Sequence, residues 1–290
     1  MTKDTRAGLS INHMVLGDGS ERALMMHCTL SSARAMAPMA MALEQRFTTT
    51  AFDLPGHGQS GDWDFNGDLQ DRVTEVAESF IDGPIHLIGH SFGATVALRL
   101  MSQMPERIKS VVLFEPVFVE AAFQRTPKLR ASYEAEAQDF VEAIKNNDKE
   151  RATIEFLKMW GDGTPWEAIP PNLRQSMIDK IDVVDAGTPA LHQDAHGLLG
   201  LTGLANYKCP ALFIRGARSI PIMQDVHAAL VALMPQASDY AIEGAGHMVP
   251  MTHQAECVKL MQEFYQKSGF DAPIFGSVPA MMREIFALWR

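Results

Sequence analysis

Ser91 lies in Gly89-His90-Ser91-Phe92-Gly93, a G-x-S-x-G pattern in which a serine hydroxyl can serve as a nucleophile. An apolar, β-like run, Ile85-His86-Leu87-Ile88, leads into it, and a helix-like run over 94–104 leads away. A strand before and a helix after is the setting in which the pattern makes a sharp turn with the serine Oγ exposed at a sheet end. The flanking glycines tolerate the backbone angles such a turn demands, and the helix start behind the serine presents free N–H groups. A serine hydroxyl is a poor nucleophile near neutral pH. It needs a base within hydrogen-bond reach, and the base needs a group to orient it. His247 is the best base. It sits in Glu243-Gly244-Ala245-Gly246-His247-Met248-Val249-Pro250, a glycine-rich loop just past the last predicted strand, and loops there reach the strand ends where ligands bind in open α/β sheets.

The elements that must position these groups alternate along the chain. Strands are predicted over 11–16, 23–28, 47–52, 85–88, 108–114, 210–215 and 238–242, with a hairpin turn at Gly17-Asp18-Gly19-Ser20. Helices are predicted over 35–46, 69–81, 94–104, 223–234 and 254–267; in 69–81 the apolar residues Leu69, Val73, Val76, Ala77 and Phe80 recur at helical spacing. Continuous apolar strands alternating with helices predict a mostly parallel sheet covered on both faces. The alternation breaks after Pro116: residues 117–207 read as a helical insertion, leaving 1–116 and 208–268 as the core. Beyond it, 269–290 reads as an extended link and an amphipathic helix with Met281, Met282, Ile285, Phe286 and Trp289 on one stripe. Packing on its own chain is the favoured reading of that stripe; a homodimer contact or a lid is the sharper one.

Bulk properties narrow the partners. A net charge of −10 over 290 residues argues against binding a nucleic-acid backbone, which runs on Lys and Arg. Cys28, Cys209 and Cys257 are too widely spaced for a metal pair or a disulfide framework. No run is apolar and long enough to span a bilayer, and the N-terminus lacks the apolar core of a signal peptide. A soluble, cytoplasmic protein is expected.

Asp53-Leu54-Pro55-Gly56-His57-Gly58-Gln59-Ser60, Gly89-His90-Ser91-Phe92-Gly93 and Gly244-Ala245-Gly246-His247-Met248-Val249-Pro250 together resemble the cap-bearing branch of the α/β-hydrolase superfamily, over residues 11–267. The resemblance implies an α/β-hydrolase fold with an inserted helical cap, the chain order Ser, acid, His, and a structural role for the Asp53 segment, so His57 is given no part in catalysis. The usual acid position in relatives, in the loop after the strand at 211–215, here holds Ile220, in Gly216-Ala217-Arg218-Ser219-Ile220-Pro221. An isoleucine cannot orient an imidazole. Glu115, at the end of the strand after the nucleophile helix, is the strongest substitute: some members carry their acid there, and a carboxylate at a buried strand end is costly unless it is paired. Asp225 is a more distant option.

The oxyanion donors implied are the N–H groups of Phe92 and of Thr29, in His27-Cys28-Thr29-Leu30, where Cys28 replaces the usual glycine. Leu30 is an alternative donor. Cys28 reads as a packed thiol and His90 as structural. Leu30, Trp160 and Met248 are candidates to line the substrate pocket, with Trp166 lining it or packing the cap. His192 and His196, at one-turn spacing, suggest a metal pair without a third ligand, so no metal is expected. The expected activity is hydrolysis of a carboxylic ester, thioester or lactone of a small to medium apolar substrate through an acyl-enzyme on Ser91, with no cofactor. The alternatives are C–C bond hydrolysis or acyl transfer by the same residues, or a binding or signalling protein that kept the fold and lost turnover.

Overall fold

A computed structural model describes residues 1–200 and 203–270. The core elements are β1 (Thr2–Arg6), β2 (Leu9–Leu16), β3 (Glu21–Met26), α1 (Ala33–Ala42), β4 (Phe47–Phe52), α2 (Leu69–Glu78), β5 (Ile85–His90), α3 (Phe92–Gln103) and β6 (Ile108–Phe114). Between the sheet's two halves lie α4 (Val119–Arg125), α5 (Leu129–Glu136), α6 (Gln138–Lys145), α7 (Lys149–Trp160), α8 (Pro171–Lys180), α9 (Asp182–Ala186) and α10 (Thr188–His192). The core resumes with β7 (Ala211–Gly216), α11 (Ile222–Leu233), β8 (Ala237–Ile242), α12 (Val249–Thr252) and α13 (Gln254–Lys267).

The described residues form one eight-stranded sheet in the order β1-β2-β4-β3-β5-β6-β7-β8. β2 runs antiparallel to its neighbours β1 and β4, and the pairs from β4 through β8 are parallel. Both faces are covered, as the continuous apolar strands require. Leu24, Leu87, Val111, Leu113 and Phe213 pack on one side with α2, α3 and α11. Met25, Ile88, Val112, Phe114, Leu212 and Ile214 pack on the other with α1 and α13. The two sets alternate along each strand because successive side chains point to opposite faces.

Strands 47–52 and 108–114 and helix 254–267 lie where the sequence predicts them. The expected hairpin across Gly17–Ser20 does not form: β4 lies between β2 and β3. The connecting turn is instead bonded to the α1–β4 loop, with the Asp18 and Gly19 N–H groups donating to the Glu44 carbonyl and Glu21 N–H to Arg46. The true hairpin is β1–β2, turning at Ala7 and Gly8, both at positive φ. β1 escapes a reading based on hydrophobicity because Thr2–Arg6 is a polar edge strand. The predicted amphipathic helix at the C-terminus, with its stripe and any dimer contact, lies outside the described residues. Among them, no helix is long and apolar enough to cross a membrane.

Strand order reverses between β3 and β5, whose onward connections leave in opposite directions, and such a crevice is where ligands bind in open α/β sheets. The loops after β3 and β5 carry Thr29 and Ser91 to this point.

Candidate active site

Ser91 ends β5 and begins α3 with φ 55° and ψ −118°, a backbone conformation disfavoured for a residue with a Cβ. Its surroundings enforce it. A Cβ on Gly89 would come 2.5 Å from the Gly93 carbonyl oxygen, and one on Gly93 would come 2.4 Å from that of Met26. The strand, turn and helix therefore approach each other more closely than any side chain permits. The Ser91 N–H is anchored by the Phe114 carbonyl at 2.8 Å, tying the turn to the end of β6, where Glu115 follows.

The loop after β8 returns across the sheet end to bring His247 to Ser91. His247 Nε2 lies 3.0 Å from Ser91 Oγ, and His247 Nδ1 lies 3.1 Å from Glu115 Oε2. All three side chains are buried, Glu115 completely. Glu115 has φ 50°, a second strained residue at the site. Its other oxygen, Oε1, accepts hydrogen bonds from the Gly216 N–H at 2.6 Å and from Ser219 Oγ at 2.7 Å. Burial alone would raise this carboxyl pKa; hydrogen bonds and charge from His247, the Ser219 hydroxyl and the nearby His227 outweigh it and hold it below the ordinary carboxylate value. An ionised carboxylate only accepts, so His247 Nδ1 carries the proton and Nε2 is left to accept from the Ser91 hydroxyl.

Asp225 makes no hydrogen bond to His247. Among the described residues, Glu115 is the carboxylate paired with that imidazole. The partners of Glu115, Gly216 and Ser219, escape a reading of the sequence. The legible signal was the hydroxyl of Ser219, one residue before the isoleucine that stands at the usual acid position.

The facing loop is organised by buried imidazoles. Leu54 N–H donates to His27 Nε2 at 3.0 Å, so His27 Nδ1 carries the proton and donates to the Cys28 carbonyl at 2.7 Å. Burial pushes the His27 pKa down to about 4 and that of His57 to about 3, keeping both neutral. The segment from Asp53 to Ser60 acts as a brace. The buried Asp53 carboxylate accepts from Asn12 Nδ2, Ala33 N–H and Gln59 N–H at 2.7, 2.7 and 2.8 Å. Cys28 is buried, and burial pushes its thiol up to about 12, which leaves it protonated and unreactive.

The turn from Cys28 to Ser31 closes through Ser31 N–H to the Cys28 carbonyl, with Leu30 at φ 61°. Among the described residues, the N–H groups of Phe92 and Thr29 have no hydrogen-bond partner. The Phe92 N–H, at the first turn of α3, has no partner available within its helix.

The helices between β6 and β7 cover this face. The Trp160 ring, at the end of α7, meets the His247 ring edge-on with centroids 4.8 Å apart. Leu30 packs against the small apolar cluster of Ala143, Ala152 and Ile181, as do Phe140, Ile144, Phe156 and Val184. A Cβ on Gly187, between α9 and α10, would touch the Phe92 ring. Met248, beside His247, is half-buried. Trp166 turns instead to Arg174, whose guanidinium sits 5.4 Å from the ring centroid.

His192 and His196 do not converge, because α10 ends at His192 and the chain turns away. His192 packs edge-on against Tyr133. His196 instead joins Asp68 and Asp71, with Arg99 bonded to both His196 and Asp71 and its cationic guanidinium already among the ligand atoms.

His90, read from the sequence as structural, is bonded to the backbone of the His247 loop. Its Nε2 reaches the His247 carbonyl oxygen at 2.9 Å.

Comparison with known proteins agrees with this architecture. The alpha/beta hydrolase family model matches residues 23–260. An (E)-2-((N-methylformamido)methylene)succinate hydrolase from Acinetobacter baylyi is 24% identical, over 86% of this chain and 92% of its own. A pimeloyl-[acyl-carrier protein] methyl ester esterase from Chromobacterium violaceum is 26% identical, over 86% of this chain and 95% of its own. The solved carboxylesterase CesB from Bacillus subtilis superposes with a TM-score of 0.66 at 17% identity, covering 91% of this chain and 90% of its own, a likeness of fold. The chain belongs to the alpha/beta hydrolase family.

Proposed function

We propose that the protein is a serine hydrolase that cleaves a carboxylic ester, thioester or lactone of a small to medium apolar substrate through an acyl-enzyme on Ser91. The observation that carries this reading is the continuous contact from Ser91 Oγ through the His247 ring to the buried Glu115 carboxylate. Glu115 fixes the tautomer in which His247 Nε2 can take the serine proton, and stabilises the imidazolium that results. Ser91 Oγ attacks the substrate carbonyl, and the developing oxyanion faces the N–H groups of Phe92 and Thr29. His247 then protonates the leaving group, and water, activated by the same imidazole, releases the acid and regenerates the serine. The chain's own groups supply each step, so the route calls for no cofactor.

The Trp160 ring lies edge-on to His247, and with Leu30, Phe92 and Met248 taken as the apolar lining of the pocket, an uncharged acyl group is favoured over a charged one. Hydrolysis is also the activity named for the Acinetobacter and Chromobacterium relatives, the second on a methyl ester. A binding protein that had lost turnover would have no use for a carboxylate buried against the histidine or for the strained backbone at Ser91.

The test is hydrolysis of p-nitrophenyl esters of graded acyl length by wild type and Ser91→Ala, with fluorophosphonate labelling in parallel. Turnover by wild type, its loss by roughly 10⁴-fold or more in Ser91→Ala, and labelling of Ser91 alone are expected. Wild type inert on every ester and unlabelled would overturn the reading.

A further inference from the structure

The loop that carries His247 starts from β8, at the edge of the sheet, and must reach Ser91 at the end of β5. These strands are three positions apart, roughly 14 Å at the usual strand spacing. Near its origin the loop is bonded to the β7–α11 loop: Ala217 N–H donates to the Ile242 carbonyl, and Arg218 N–H to that of Ala245. At its far end the backbone hydrogen bond is made by a side chain. His90 Nε2 lies 2.9 Å from the His247 carbonyl oxygen.

We propose that His90 is a positioning residue for the reaction. Its Nε2–H grips the backbone of His247 from β5, the strand that delivers Ser91, and so sets the separation between nucleophile and base. The inference rests on the hydrolase reading above for its kinetic consequence and on geometry alone for the tether. A carbonyl oxygen only accepts, so His90 Nε2 carries the proton and His90 Nδ1 is bare. Nδ1 is buried and finds no partner among the described residues. Burial also keeps the ring neutral, with its pKa pushed down to about 3. A residue needed only for packing here would be better served by an aromatic hydrocarbon, which has no nitrogen to desolvate. The ring makes a single hydrogen bond, and that bond goes to the backbone of the proposed base. The imidazoles of His90 and His247 also lie side by side, with centroids 5.1 Å apart. A shift of the loop would thus move the base relative to a serine that is itself fixed by the turn.

The experiment compares wild type, His90→Phe and His90→Gln. Phe keeps the flat shape without the donor, and Gln places an amide N–H near the position of Nε2. Four quantities are read: kcat and KM on a p-nitrophenyl ester, the thermal midpoint, and the far-downfield proton resonance of the His247 Nδ1–H bound to Glu115. In His90→Phe, kcat should fall roughly 10- to 100-fold with KM within about twofold, as for a base displaced by a fraction of an ångström to an ångström. The downfield resonance should shift or broaden. His90→Gln should recover most of both. The proposal is overturned if His90→Phe keeps kcat and the resonance while folded, or if Gln and Phe lose activity equally and only as far as the folded fraction falls. If wild type turns over no ester but its downfield resonance is lost in Phe and regained in Gln, the tether stands and the hydrolase reading falls.

Discussion

Glu115 Oε2 lies 3.1 Å from His247 Nδ1 although 132 residues separate them in the chain. The contact joins the end of β6 to the loop after β8, across the end of β7. It gives the imidazole a carboxylate on its Nδ1 side, with isoleucine at position 220, where the resemblance leads to the expectation of the acid.

Glu115→Gln should lower kcat/KM by about 10³- to 10⁴-fold, since an amide can leave His247 in the tautomer whose Nε2 cannot accept the serine proton. Steady-state kinetics on an ester that wild type cleaves checks it; a loss under tenfold would remove Glu115 from the mechanism. The same variant reports on stability. Glu115 is held below its ordinary value of 4.5 in the fold, so folding favours the ionised form. That contribution is fully present above about pH 4.5 and is lost as the pH falls through the depressed folded value. Urea titrations of both proteins should show their stability gap shrinking on acidification through this window.

Ser219→Ala removes one of the two donors on Glu115 Oε1 and leaves the Gly216 N–H. A hydrogen bond to a buried charge is worth about 1.5–3 kcal/mol, and denaturant unfolding at neutral pH should show a loss of that order. Catalysis should fall less than in Glu115→Gln, because the carboxylate remains. Equal kinetic losses in the two variants would mean that Ser219 acts on more than the acid.

Ile220→Asp in the Glu115→Gln background tests whether the acid can serve from the β7 loop. Ile220 is half-buried in the same loop as Ser219, and catalysis needs a carboxylate on the Nδ1 side of His247, from whichever strand end. The double variant should recover at least about tenfold over Glu115→Gln, on the same tautomer argument. No recovery in a folded double variant would show that the loop geometry, as well as the residue type, has diverged.

Gly93→Ala should cost at least about 2 kcal/mol of stability by overpacking, because the added Cβ would lie 2.4 Å from the Met26 carbonyl oxygen. Thermal unfolding is the check. A stable, active Gly93→Ala protein would mean that α3 can move off β3, and the close approach assigned to this turn would be wrong.

Trp160→Ala opens the space beside His247. The acyl-length profile should move toward longer esters, with KM for short ones rising. An unchanged profile would place the substrate elsewhere.

The local sequence by itself determined the strand–turn–helix around Ser91, the order of most core elements and the glycine-rich loop of His247. These follow from short-range causes: residue size at a tight turn, period-2 and period-3.6 apolarity, and chain-breaking residues. The run of helices between β6 and β7 was legible for the same reason, as a loss of strand character. Only the tertiary structure decided that β4 separates β2 from β3, because pairing depends on what the Gly17–Ser20 turn bonds to, and its partners Glu44 and Arg46 lie in another loop. It likewise parted His192 from His196 and turned His90 onto the His247 backbone. Glu115 shows the boundary. Its cost at a buried strand end called for a partner, which the sequence could argue. Which groups hold each of its oxygens (His247 on one, Gly216 and Ser219 on the other) depends on three loops meeting at the sheet end, and that meeting is a property of the folded chain.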